Sequence, residues 1–462
     1  MTKLMNKEEL ISQLKTQSKA QKELTNVKED VVQNVEPAYS VSQTTEPVKT
    51  NKVAKKRNIT LTPDQRSVVD DIKRWFYSSA GYSKFELAGF AGVGKSTVVD
   101  FILEELDLHP DHVRMCAPTG QASLVLKDKA PDFYSCTLHK LFYNPERTQK
   151  GYLQFVPTPA HIRGAKLIIG DEFSMTGKRI AEEILPMARK AKVKILIIGD
   201  PEQLPPVRDE DYFFKNPDAM LTQVLRQAAD NPIIALSMAI RTATEEGRAY
   251  TFPYGNQTID KKLYVRNRNS ISIQQYAKVA ANGGIVIAGT NKTRRGLNIG
   301  IRNELGFNSP ILMNGEKVVI KENIEGGEQG EISVTNGMTG KVSNVRRLPN
   351  KIIRFTFTPD AFKGSRVLEV HEDILFERTT MADLKRENRR RFYTKEPQLP
   401  TGVEVLFGYC ITAHASQGSQ WNTVYLIDES RVFNRDADGY RNQNRWLYTA
   451  VTRAKEYLVI AR

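Results

Sequence analysis

One stretch, GFAGVGKS from Gly89 to Ser96, constrains this chain more than any other. It fits the spacing G-x-x-x-x-G-K-[ST]. An apolar run, FELAG (85–89), precedes it and a helical pattern (97–106) follows. Glycines at these positions let backbone N–H groups turn inward around an anion, and the helix N-terminus adds its positive end. Lys95 then reaches for the β- and γ-phosphates of a nucleoside triphosphate, and the Ser96 hydroxyl for Mg²⁺. A second glycine cluster, GGEQG (326–330), has neither the lysine nor a following helix and reads as a turn.

The surroundings of this loop set the fold class. Short apolar runs recur at VRMCAP (113–118), KLIIGD (166–171) and KILIIGD (194–200), and again at GIVIAG (284–289), EVLFGYC (404–410), TVYLID (423–428) and YLVIA (457–461). Helical stretches such as 178–191 and 231–246 fall between them. Continuous apolar strands separated by helices indicate parallel sheets covered on both faces. Their two groups, one ending near 200 and one starting near 284, predict two α/β domains. Two segments break the pattern. Residues 143–164 carry turn residues and aromatics and predict a small hairpin insertion. Residues from about 305 to 400 are glycine-rich with β-type alternation and predict a small β-barrel inserted into the second α/β domain.

Residues 1–57 have almost no aromatics and cannot bury enough surface to offset the entropy of ordering. They read as a basic, disordered tail ending at Lys52, Lys55, Lys56 and Arg57, either a plain linker or a docking peptide for a protein or nucleic acid. The start lacks the apolar core of a secretory signal. No apolar run approaches the roughly 20 residues needed to span a membrane, so a cytoplasmic protein without a membrane partner is expected. Cys116, Cys136 and Cys410 are spaced for neither a disulfide framework nor a zinc site. A net charge of +14 favours an acidic partner such as nucleic acid.

The second half of the nucleotide site is Asp171-Glu172, directly after KLIIG. A strand-end Asp can hold the Mg²⁺ shell while the adjacent Glu activates water as general base. Asp200 and Gln203, in GDPEQLPPV after another apolar strand, add a polar sensor suited to a γ-phosphate or its attacking water.

Taken in order, LTPDQ (61–65), GFAGVGKST (89–97), APTGQA (117–122), TLHKLF (137–142), GDEFSM (170–175), GDPEQLPPV (199–207), LRQ (225–227), TAHASQGSQ (412–420) and YTAVTRA (448–454) resemble the motifs of superfamily 1B helicases, the RecD-like and phage Dda-like branch. The resemblance implies tandem RecA-like P-loop domains, 58–227 and 228–462. The first would carry a strand-separating pin at about 143–164, the second a small SH3-like β-barrel at about 305–400. It implies ATP and Mg²⁺ as cofactors, with ATP held by Gln65 as adenine reader, by Gly89, Ala91, Gly92, Val93, Gly94, Lys95, Ser96 and Thr97, and across the cleft by Gln417 and Gly418. Ser96 and Asp171 would ligate the metal. Lys95, Asp171, Glu172 and Gln203 would carry hydrolysis together with Arg226 and Arg453, cationic fingers that stabilise the charge of the transition state.

For the nucleic-acid track the resemblance points to Thr119, His139, Thr412 and His414, with Phe155 as the wedge of the pin and Tyr152 as its rival. The implied activity is that of a monomeric, ATP-dependent DNA helicase moving 5′ to 3′ on single-stranded and forked DNA in replication, recombination or repair. An RNA-remodelling ATPase and a non-motor nucleic-acid-binding subunit are the alternatives. The sequence departs from the family at Phe90, where proline is frequent, at Ser96, where threonine is commoner, and at Gln121 and Ala415, where a basic residue is frequent. The run KRENRRR (385–391) offers either compensating phosphate contacts or an ordinary solvated helix.

Overall fold

The computed structural model describes residues 60–78, 82–147, 153–206, 209–225, 231–252, 255–259, 261–324, 332–361, 363–435 and 439–462. The tail 1–57, Tyr152 and Arg226 lie outside them.

Thr62 opens the first helix, α1 (Pro63–Tyr77), with a capping box: its hydroxyl accepts from the Gln65 N–H while the Gln65 side chain accepts from the Thr62 N–H. Such reciprocal capping satisfies two orphan donors. The chain then enters β1 (Lys84–Gly89), α2 (Lys95–Leu106), β2 (Val113–Ala117), α3 (Gly120–Lys129), β3 (Tyr134–Thr137) and a short helix α4 (Leu138–Phe142). Strands β4 (Tyr143–Arg147) and β5 (Leu153–Pro157) form an antiparallel pair of their own. There follow β6 (Leu167–Gly170), α5 (Lys178–Ala191), β7 (Lys194–Gly199) and β8 (Ala219–Leu221).

The first sheet has the order β3-β2-β6-β7-β1-β8, and every pair in it is parallel. Every residue of β6 and β7 is buried. That is why these strands read as unbroken apolar runs: helices cover both faces, so no side of the pleat meets water. Each fully buried Ile or Leu contributes roughly 1.5–3 kcal/mol. The same layering opens the loops at the C-terminal edge of the sheet, where the phosphate loop follows β1 and Asp171-Glu172 follows β6.

The second lobe contains α6 (Pro232–Glu245), β9 (Gln257–Ile259), β10 (Leu263–Arg266), α7 (Ile273–Ala281), β11 (Ile285–Ala288) and α8 (Asn291–Glu304). It resumes after an insertion with β17 (Cys410–Thr412), β18 (Trp421–Ile427), α11 (Gly439–Val451) and β19 (Ala454–Ala461). Its sheet order is β17-β11-β18-β19-β10-β9, parallel except for the edge strand β9. The insertion comprises β12 (Lys317–Ile320), β13 (Thr339–Leu348), β14 (Ile352–Pro359), β15 (Arg366–His371), α9 (Glu372–Leu375), α10 (Met381–Thr394) and β16 (Val405–Phe407). It forms an antiparallel sheet, β15-β14-β13-β12-β16. The Val403 N–H donates to the Glu369 carbonyl at 2.7 Å, and Val370 bridges to Gly402, so the two ends of the sheet meet.

One apolar run is divided in a way its composition does not show. EVLFGYC supplies β16 to the inserted sheet and β17 to the parallel one, with Gly408 at the break. A Cβ on Gly408 would stand 2.6 Å from the Val318 carbonyl carbon. The close approach of that backbone therefore bends the run between two sheets. Cys116, Cys136 and Cys410 are free and buried. Among the described residues no helix is long and apolar enough to cross a membrane.

Candidate nucleotide cleft and nucleic-acid track

The phosphate loop turns on Gly92 (φ 80°) and Gly94 (φ 82°), the left-handed region that glycine enters without cost from a side chain. A Cβ on Gly94 would stand 2.5 Å from the Gln65 Nε2. Gln65 is buried, and its Nε2 donates to the Val93 carbonyl at 2.9 Å. One amide thus caps α1 and fixes the loop. Lys95 folds back so that its ammonium donates to the Gly89 (2.6 Å) and Phe90 (3.0 Å) carbonyls, with Asp200 Oδ2 3.9 Å away. Ser96 Oγ accepts from the Lys129 ammonium at 3.0 Å.

Facing the loop, Asp171 Oδ1 accepts the Glu172 N–H at 2.9 Å. Glu172 itself holds φ 56°, ψ 31°, a left-handed conformation sparsely populated by non-glycine residues and concentrated at functional sites. Burial, then the neighbouring Glu172 charge, pushes the Asp171 carboxyl up to about 6. Gln203 is buried; its Nε2 donates to Glu172 Oε2 at 3.3 Å, and its Oε1 has no hydrogen-bond partner. Asp200 is fully buried, and burial raises its carboxyl.

The raised Asp171 has a consequence for stability. A carboxyl whose folded value lies above its ordinary 3.8 binds its proton more tightly in the fold. Stability then falls as pH rises from about 4 to about 6, and the cost is present in full above that. Asp171→Asn keeps the acceptor for the Glu172 N–H and removes the charge. The melting temperature of the nucleotide-free protein is expected to rise by a few degrees at pH 7 and to stay unchanged near pH 4. An equal rise at both pH values, read by calorimetry, would sink this assignment.

The second lobe closes on the first through α11. Tyr448 is buried; its hydroxyl accepts the Ala91 N–H of the phosphate loop (2.8 Å) and donates to Asp200 Oδ2 (2.7 Å). The Leu204 N–H donates to Thr449 Oγ1 at 2.8 Å, and Gln417 Nε2 donates to the Leu204 carbonyl at 3.2 Å. Arg445 pairs with Asp211 at 2.8 Å. Arg241 of α6 lies 3.9 Å over the Phe90 ring, a cation–π contact onto the loop position that departs from the family. Arg453 is 4% exposed and, among the described residues, bonds only to oxygens of its own lobe: the Thr449 carbonyl (2.9 Å), the Ser419 carbonyl (3.3 Å) and Thr452 Oγ1 (3.1 Å). Among the described residues no carboxylate lies within 4 Å of it. Burial lowers its guanidinium, while Glu172 and Asp200 pull the other way. A cleft of about 590 Å³ opens beside Gln203, lined also by Ser174, Glu202, Asp211, Arg441 and Arg445. No residue of the phosphate loop lines it.

The expected track residues fall into separate places. Thr119 caps α3, its hydroxyl accepting the Ala122 N–H at 3.2 Å. Gly418 (φ 77°) approaches so closely that a Cβ there would stand 3.0 Å from Thr119 Oγ1. The turn that carries Gly418 begins at Thr412, whose hydroxyl accepts the Ala415 N–H at 3.4 Å. Gly120 packs against Thr335 of the insertion, which brings that segment onto the same seam. His414 turns toward Phe433, 6.1 Å between centroids. His139 lies elsewhere, stacked on Tyr143 (5.4 Å) and edge-on to Phe155 (5.8 Å). Phe155 is 50% exposed at mid-strand in β5, opposite Pro145.

Sequence reasoning passed over Tyr448, Thr449, Arg445 and Arg241. Tyr448 stood inside the quoted run YTAVTRA, and its place there was the signal. Arg241 had none, since a lone arginine on a helix is ordinary.

Residues 60–256 match the AAA domain family, and residues 407–461 match the UvrD-like helicase C-terminal domain. The chain is similar to the ATP-dependent RecD2 DNA helicase of Deinococcus radiodurans, 26% identical over 417 residues that cover 87% of this chain and 49% of that protein. It is also similar to an uncharacterised protein of Methanocaldococcus jannaschii, 24% identical over 429 residues covering 81% of this chain and 36% of the relative. The chain thus spans about half the length, or less, of these curated relatives. Among solved structures, Pif1 helicase from Bacteroides in complex with ADP-AlF3 and ssDNA superposes with a TM-score of 0.51 at 17% identity, over 88% of this chain and 93% of that one. A Pif1 structure describing unwinding at forked dsDNA gives 0.51 at 17% identity, over 87% and 92%. At such identity the likeness shows the fold, tandem RecA-like lobes. Fold and site define a P-loop NTPase with two RecA-like lobes. The chain thus joins an AAA domain to a UvrD-like helicase C-terminal domain.

Proposed function

We propose that this chain is an ATP-driven motor that moves 5′ to 3′ along single-stranded DNA and unwinds duplex ahead of it. The observation that carries the reading is the seam. Tyr448 reaches from the second lobe to the phosphate loop and Asp200 of the first, and Thr449 and Gln417 hold Leu204 beside it. Such a seam responds to whatever occupies the cradle. The reading assigns residues 58–227 and 228–462 to the two motor domains. The β4–β5 pair serves as the pin and the inserted sheet as an SH3-like barrel.

Mg²⁺ fits the donors present. Among the described residues there is no cluster of three or more acids, histidines or cysteines, but Mg²⁺ with a nucleotide needs only one or two protein ligands beside phosphate and water. Asp171, whose carboxyl is driven upward by burial and then by Glu172, is a carboxylate that a divalent cation would stabilise in its charged form. Ser96 and Asp171 would hold the ion, which supplies charge neutralisation at the β- and γ-phosphates. Lys95 exchanges its loop carbonyls for phosphate oxygens. Glu172 takes the proton of the attacking water, and the unpartnered Gln203 Oε1 accepts that water's other hydrogen. Arg453 and Arg226 bring positive charge to the γ-phosphate. Closing and opening follow from the γ-phosphate's different contacts in the two states. Thr119 and Thr412 line the strand's path along the seam, and Phe155 meets the fork from the pin.

Tyr448→Phe removes one hydroxyl and leaves the Ala91 N–H and Asp200 without that partner. Strand-stimulated kcat is expected to fall about tenfold, on the order of one hydrogen bond to a charged group, with strand affinity unchanged. A wild-type kcat would show that the seam does not report the cradle. The proposal as a whole is tested on forked duplexes carrying only a 5′ or only a 3′ tail. Unwinding of the 5′-tailed fork alone is expected. Unwinding of the 3′-tailed fork alone would reverse the direction, and unwinding of neither would overturn the motor.

A further inference from the structure

Helix α10 is unlike the other surface helices. Met381 and Leu384, on its first turns, are buried in the core of the inserted sheet. Asn388 then clasps the returning chain in both directions, Nδ2 donating to the Leu399 carbonyl and Oδ1 accepting the Leu399 N–H, each at 2.7 Å. Arg391 adds a bond to the Pro397 carbonyl at 3.1 Å. Lys395 closes the helix in the left-handed conformation. The last turn is thereby presented on a fixed base.

That turn carries the two most exposed large apolar side chains among the described residues, Phe392 (67%) and Tyr393 (76%). Their rings lie 5.7 Å apart at 79°. Along the helix and its cap, between Met381 and Glu396, stand Lys385, Arg386, Arg389, Arg390, Arg391 and Lys395 against only Asp383, Glu387 and Glu396. Hydrogen bonds from Arg390 and Arg391 hold Glu387 down at about 2, so these carboxylates organise the guanidinium groups without cancelling their excess.

We infer that the C-terminal turn of α10 is a second single-strand nucleic-acid contact, separate from the seam of the two lobes, where bases stack on Phe392 and Tyr393 and the surrounding arginines neutralise phosphates. Rings beside guanidinium groups are the two components by which single strands are bound without sequence preference. A protein groove fits less well. It needs apolar residues at i, i+3 and i+4 on one face, and here the residues at that spacing, Met381 and Leu384, are already buried. Adjacent rings at 79° offer two separate faces, on a helix turn that also carries Arg389, Arg390 and Lys395 within four positions of one ring or the other.

The inference rests on the reading of this chain as a strand-binding motor, and the experiment separates the two. The full chain and its Phe392→Ala/Tyr393→Ala variant are titrated with thymidine strands of about 8 and about 30 nucleotides, the shorter within one ordinary site size. ATP turnover is read at saturating strand. The variant is expected to bind the long strand at least about fivefold more weakly, to bind the short one as the wild type does, and to keep the wild-type kcat. Equal affinity of variant and wild type for the long strand overturns the inference and leaves the rings as a protein-docking patch. An equal loss on both lengths also overturns it, because the weakened contact then lies in the seam. A wild type that binds neither strand overturns the motor reading itself and this inference with it.

Discussion

Lys95→Ala lowers ATP turnover at saturating single strand by about 10²–10³-fold or more, the cost of removing one preorganised donor from developing negative charge. It leaves strand binding and its salt dependence in place. The ammonium is held at the loop by the Gly89 and Phe90 carbonyls and stands 3.9 Å from Asp200. It touches none of the residues proposed for the strand, so the two functions separate in this variant. Steady-state hydrolysis together with anisotropy of a labelled strand across a salt series reads both. Turnover within tenfold of wild type would mean that the cradle is not where the triphosphate reacts. Loss of strand binding in step with turnover would mean that the variant is damaged more broadly than one ammonium explains.

Arg453→Ala is expected to have an effect as large, about 10³-fold on kcat, the lower end of what an arginine finger contributes. The guanidinium is buried, holds three oxygens of its own lobe, and has no carboxylate within 4 Å among the described residues. Burying an unpaired cation is costly, and a γ-phosphate arriving beside Glu172 offsets that cost. Arg453→Lys is expected to recover little, since an ammonium lacks the planar fork. The loss should appear in kcat with KM for ATP altered far less, because the contact strengthens in the transition state. A change confined to KM would make Arg453 a ground-state binding group.

Much of this arrangement could be read from sequence, for a physical reason. Phosphate loops, strand-end acids and buried parallel strands are contiguous, and each carries its constraint in a few neighbouring residues: Gly92 and Gly94 for the turn, KILIIG for a strand buried on both faces. What could not be read is non-local. Tyr448 and Ala91 are 357 residues apart, and a tyrosine in the apolar last turns WLYTAV reads as core until the opposing loop is known. The division of EVLFGYC between two sheets depends on how closely the Val318 backbone passes Gly408. Gln65 reads as a contact for the base. In the fold both ends of its amide are already engaged, one with the cap of α1 and one with Val93. It therefore positions the loop as well. His414 faces Phe433 inside its own lobe, a packing decision made by residues far along the chain.

The central claim is that a single strand drives the nucleotide cycle through the seam between the lobes. The most direct measurement is the initial rate of ATP hydrolysis by the full chain, in excess Mg²⁺, with and without a saturating thymidine strand. The account predicts a rate at least about tenfold higher with the strand, in keeping with a coupling of a few kcal/mol between the two sites. Hydrolysis that proceeds at one rate whether or not the strand is present would contradict it.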